Sequence, residues 1–154
     1  MSKKIAVIGL GNSLRRDDGI GVIILESLLN NYKRPDIDYL NFGIASFDLI
    51  HRLQDYDTVL LIDGINAELP IGELKIFGLE QAYFTNRDNA ISSHELNLKD
   101  IFKLTHDLEI KTKIYVAGIQ VVDVGFGESL SAPLKDSLEI ITKQINEFIG
   151  TVLK

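Results

Sequence analysis

No cysteine occurs among the 154 residues, which excludes disulfides, thiolate metal sites, CxxC redox chemistry and a cysteine nucleophile together. Any metal site must therefore draw on histidine, aspartate or glutamate. Proline is scarce as well, at 3 residues beside 12 glycines, so collagen-like repeats and linker arrays are excluded. No uninterrupted apolar run approaches the roughly 18 residues needed to span a bilayer, and no membrane partner is expected. The opening Met1-Ser2-Lys3-Lys4 and the apolar residues 5–10 are too short for a secretory leader and run into Arg15-Arg16-Asp17-Asp18 without a small-residue cleavage site. A basic surplus is missing too: 16 Lys and Arg stand against 22 Asp and Glu, and the net charge of −6 disfavours a nucleic-acid partner. What is present, 45% hydrophobic and 25% charged residues, suits a globular chain with a real core. A single cytoplasmic domain over residues 1–154 is expected.

Apolar runs of strand length alternate with segments of helical period, the pattern of an α/β domain with a largely parallel sheet. Strands are predicted at 4–9, 37–41, 58–63, 74–77 and 113–119. Helices are predicted at 18–31, 45–53 and 95–106, followed by a long closing helix with Leu134, Leu138, Ile141, Ile145 and Phe148 in register. The run at 58–63 is the most apolar and suits the sheet centre. Only about ten residues, with Pro70 and Gly72 among them, separate it from the fourth strand. That is too short for the crossover between parallel strands, so the fourth strand should run antiparallel. The fold expected is a mixed, mostly parallel five-stranded sheet. Strands one and three then carry the loop at 9–18 and Asp63 to one carboxyl edge, where open α/β sheets bind ligands. The helix starting near Glu95 must return the chain to the opposite edge, which puts His94 on the Asp63 side.

Familiar motifs fail in that loop. Gly9-Leu10-Gly11-Asn12-Ser13-Leu14 lacks the third glycine of a dinucleotide fingerprint, a Walker A loop is absent, and His94-Glu95 meets Leu98 where a zincin needs histidine. No G-x-S-x-G elbow makes a serine nucleophile. Asp17 reads best as a cap on the first helix, complementing its dipole. Asp18 is harder to assign to capping, because Gly19 and Gly21 follow it and glycines in a helix cost roughly 1 kcal/mol each; something must need the close backbone approach they permit. Asp63 reads evenly as a strand end leaving for solvent or as a functional carboxylate. His51 and His106, without acidic partners at metal spacing, read as surface residues. Asp18, Asp63 and His94 together make an oxygen and nitrogen set that a divalent ion such as zinc or nickel accepts. The carboxylates alone could also perform acid and base work.

Gly9-Leu10-Gly11-Asn12-Ser13-Leu14-Arg15-Arg16-Asp17-Asp18-Gly19-Ile20-Gly21, then Leu60-Leu61-Ile62-Asp63-Gly64, then Ser92-Ser93-His94-Glu95-Leu96, then Ala117-Gly118-Ile119-Gln120 resemble, in order and spacing, the hydrogenase maturation endopeptidases. The resemblance implies a three-layer α/β/α sandwich with a five-stranded mixed sheet. It implies removal of a C-terminal extension from the large-subunit precursor of a nickel-iron hydrogenase, with nickel carried by that substrate and contacted by Asp18, Asp63 and His94. Two segments depart from the family pattern. Asn41-Phe42-Gly43-Ile44-Ala45-Ser46 replaces an acidic-Gly-Gly-Thr/Ser element, and Val121 stands where proline is common. Another hydrolase on this fold, like the peptidyl-tRNA hydrolases, and a non-catalytic metal-binding or assembly protein are the alternatives.

Overall fold

A computed structural model describes residues 3–84 and 96–153. Its sheet is built from β1 (Ile5–Leu10), β2 (Ile37–Gly43), β3 (Thr58–Ile65), β4 (Leu74–Gly78) and β5 (Lys113–Gln120), in the order β2-β1-β3-β5-β4. The pairs β1–β2, β1–β3 and β3–β5 are parallel and β4–β5 is antiparallel, as the short link before β4 requires. β3 sits third of the five, and every one of its residues is buried.

Alternation of side chains along the strands divides the core into two layers. On one face Val7, Leu60, Ile62, Ala117 and Ile119 pack with α1 (Ile20–Asn31) through Ile20, Ile24 and Leu28. The closing helix α4 (Ala132–Phe148) joins the same layer through Leu134, Ile141 and Ile145, with Leu138 and Phe148 packed at its margin. On the other face Ala6, Ile8, Val59, Leu61 and Val116 meet α2 (Phe47–Leu53) and α3 (Leu98–Asp107) through Leu49, Leu53, Leu98 and Ile101. The result is the three-layer sandwich.

Several bounds differ from the sequence expectation: β2 runs on to Gly43 and β3 to Ile65, α2 starts at Phe47, and two helix starts have a local cause. Residues 16–19 form a 3-10 turn (Arg16–Gly19), and α1 starts only at Ile20. The helix before β5 starts at Leu98, because Asn97 and Asp100 form a capping box: Asp100 N–H donates to Asn97 Oδ1 at 2.9 Å and Asn97 N–H to Asp100 Oδ2 at 3.1 Å.

β4 pairs with β5 rather than with β3, so its link must pass over the carboxyl end of β5. Gln120 holds it there. Its Oε1 accepts from Ala67 N–H (2.8 Å) and Leu69 N–H (3.2 Å), and its Nε2 donates to Asn66 Oδ1 (3.2 Å). The main chain adds Gly72 N–H to Gln120 O at 2.9 Å.

Candidate active site

From β1 the chain passes through α1 on one face to β2, and from β2 through α2 on the other face to β3, the strand on the opposite side of β1. The carboxyl ends of β1 and β3 therefore flank a topological switch point, where connections diverge and leave a crevice. Asp18 and Asp63 stand beside it. The turn carrying Asp18 packs on β3, and Asp63 lies in β3 in register with Gly118 of β5.

Glycine permits this closeness. A Cβ at Gly21 would collide with the carbonyl oxygens of Leu10 and Ile62, and one at Gly11, whose φ is +132°, with the carbonyl oxygen of Asp18. The start of α1 is thus wedged against the ends of both strands. This is the close backbone approach that the glycines around Asp18 required. The loop is held further by Gly11 N–H donating to Gly43 O (2.8 Å) and Asn12 N–H donating to Asp18 Oδ2 (2.9 Å).

Asp18 is 3% exposed and Asp63 is fully buried. Asp63 does not leave the sheet for solvent, since β3 continues to Ile65 and both its carboxylate oxygens are shielded from bulk water. His94 lies outside the described residues. The nearest described residue, Leu96, donates its N–H to Ala45 O at 3.2 Å, just beyond the carboxyl end of β2. α3 therefore begins at the same edge as Asp18 and Asp63. His51 and His106 are exposed. Among the described residues, no group of three or more histidine, aspartate or glutamate side chains is placed to hold a metal ion.

Asp17 does not cap α1. It is fully buried and accepts from another part of the chain: Val122 N–H (3.1 Å), Asp123 N–H (3.0 Å) and Ser131 Oγ–H (2.9 Å) at Oδ2, and Ser131 N–H (2.7 Å) at Oδ1. Ser131 is the N-cap of α4, so the negative charge complements the dipole of the closing helix instead. Neighbouring bonds extend the junction. Arg16 N–H donates to Gly127 O (2.9 Å), Gly127 N–H to Leu14 O (2.9 Å), Asp17 N–H to Asp123 O (2.8 Å) and Arg15 Nε to Val124 O (2.9 Å). They hold Arg16 at a φ of 45°, costly for a residue with a Cβ. Sequence reasoning missed this junction because its partners lie 105 to 114 positions from Asp17.

A mixed five-stranded α/β/α sandwich, with Asp18 and Asp63 buried beside its switch point, belongs to the open α/β class, whose ligands bind beyond the carboxyl ends of the strands. Residues 22–147 match the model of the HycI hydrogenase maturation protease family, and the chain belongs to that family of peptidases. The hydrogenase 2 maturation protease of Escherichia coli K12 is 29% identical over 153 residues, covering 94% of this chain and 92% of its own length. The crystal structure of a [NiFe] hydrogenase maturation protease HycI from Thermococcus kodakarensis KOD1 is similar with a TM-score of 0.73 and 27% identity, covering 97% of this chain and 94% of that one. The hydrogenase maturating endopeptidase HybD from Escherichia coli shares the fold, with a TM-score of 0.81 at 24% identity over 96% of this chain and 92% of that one.

Proposed function

We propose that this peptidase removes the C-terminal extension of a nickel-loaded hydrogenase large-subunit precursor in the cytoplasm, and that Asp18, Asp63 and His94 recognise the nickel the precursor brings. The observation that carries the reading is the placement of Asp18 and Asp63, distant in sequence and both buried, at one switch-point edge in a chain of this family. Two carboxylates and an imidazole form a set of oxygen and nitrogen donors that suits a divalent ion and leaves positions for other ligands. No thiolate adds affinity, which favours an ion delivered by the substrate over one held permanently.

Hydrolysis of the amide consumes one water. A new bond forms between its oxygen and the scissile carbonyl carbon, the carbon–nitrogen bond breaks, and a proton passes to the departing amine. A carboxylate at this edge accepts the water's proton, or the ion lowers its cost of release. Both routes use the same side chains.

Incubation of the purified protein with nickel-loaded and nickel-free precursor, read by intact mass, tests the proposal. Loss of the extension from the loaded form alone is expected. Equal cleavage of the nickel-free form would refute recognition of substrate nickel, and release of zinc bound stoichiometrically to the protein would point to a conventional metallopeptidase.

A further inference from the structure

Large apolar side chains stranded on a surface carry little information when scattered. Here several follow the carboxyl ends of β1, β2 and β5, while Leu108, Ile140 and Val152 lie elsewhere. Leu14 is 59% exposed, Val122 56% and Phe126 84%. Leu14 follows β1 and the other two follow β5, so all three stand on loops that leave the edge carrying Asp18 and Asp63. Phe47, 66% exposed, opens α2 on the neighbouring loop beyond β2, and Gly11 N–H to Gly43 O ties that loop to the first.

The main chain that carries these side chains is held rather than loose, and the Phe126 ring has a side-chain contact of its own. Gly127 N–H donates to Leu14 O at 2.9 Å, Arg15 bridges to Gly127, and the Arg15 guanidinium lies 5.2 Å from the Phe126 ring centroid. Val122 is fixed through its N–H to buried Asp17. A pre-organised apolar knob loses little entropy on binding, and aromatic anchors of this kind dominate interfaces.

Open cavities of about 340 to 540 Å³ among the described residues are lined by none of Asp17, Asp18, Asp63, Leu14, Val122 and Phe126. We propose that Leu14, Val122 and Phe126 form a docking knob for an apolar surface on the folded body of the precursor, next to its tail. The inference rests on the proposed function. A side chain as exposed as Phe126 projects outward, and so fits a concavity in a folded partner better than it lines a slot for an extended peptide. A second copy of this chain is the poorer occupant, because pairing here would cover the edge at which a peptidase must receive its substrate.

The test compares the full chain with Phe126→Ser, Leu14→Ser and the control Leu108→Ser. Leu108, also 59% exposed, lies after α3, away from this edge. The probe is purified nickel-loaded precursor with its extension, read both by cleavage kinetics and by binding. KM and Kd should rise about tenfold or more in the two edge variants, with kcat within about twofold and the control unchanged. If Phe126→Ser fails to fold by circular dichroism, Leu14→Ser carries the test alone. Unchanged KM and Kd in a folded edge variant would overturn the inference. So would a dimer of the unsubstituted protein that the edge substitutions dissociate. Binding weakened by the edge substitutions, with no cleavage even by the unsubstituted chain, would support the docking knob and refute the proposed function.

Discussion

Asp17→Ala offers the sharpest test of how the two loops at the carboxyl edge are joined. The substitution removes the acceptor of three main-chain N–H groups and one hydroxyl, all bonded at 2.7 to 3.1 Å to a fully buried carboxylate. A fully buried donor left without a partner costs roughly 1–3 kcal/mol, and these part-buried donors lie toward the lower end of that range. Water entering the vacated volume recovers part of that, so a loss of about 4 kcal/mol is expected, near the top of the range for single substitutions. For a domain of this size it corresponds to a fall in Tm on the order of 10 °C. Ser131→Ala removes only the hydroxyl and should cost about 1 kcal/mol. Urea unfolding monitored by circular dichroism gives both values, and the double mutant should lose less than the sum because the two side chains share a bond. A loss below about 1.5 kcal/mol for Asp17→Ala, with an unchanged m-value, would refute the claim that this carboxylate organises the junction.

Asp63→Asn preserves the shape of a fully buried side chain, so it should remain folded by circular dichroism while losing cleavage of the loaded precursor in the mass assay; full retention of cleavage would remove Asp63 from the site. Gly21→Ala sets two effects against each other: alanine is favoured in a helix by about 1 kcal/mol, but its Cβ would meet the carbonyl oxygens of Leu10 and Ile62. The collision should win, with a net loss of about 2 kcal/mol or more in urea unfolding, and a stabilised variant would show that the wedge is loose. At the other end of the sheet, Tyr56 donates to Asp38 Oδ2 at 2.7 Å, and burial, followed by that bond, raises the pKa of its phenol above the ordinary value. The contribution is therefore complete below the ordinary tyrosine pKa and is lost as pH rises through the folded one, so Tyr56→Phe should cost about 1 kcal/mol at neutral pH and flatten the alkaline decline of the unfolding free energy.

The course of the chain was largely legible in its sequence because it depends on local period and link length. The register of Leu134, Ile141 and Ile145 marks the buried face of α4, and the short segment before β4 leaves antiparallel pairing as its one outcome. That β4 lies beyond β5 was not legible, since Gln120 enforces it through bonds to residues more than fifty positions away. The start of α3 was legible in principle: Asn97 and Asp100 have capping spacing, but His94-Glu95 drew the expected boundary upstream. Asp17 and Asp18 show the limit most clearly. Two adjacent aspartates after a strand look alike to any local rule, and capping of the next helix is the natural assignment for the first. What separates them is the 3-10 turn with Arg16 at positive φ, which gives Asp17 to the loop before α4 and leaves Asp18 bonded within the loop after β1. That turn is stabilised by Gly127 and Asp123, so the roles of the two neighbours are decided by residues at the far end of the chain. A local reading can therefore find an acidic turn at a switch point, but only the packed loops tell which carboxylate joins it to the start of α4 and which bonds within its own loop.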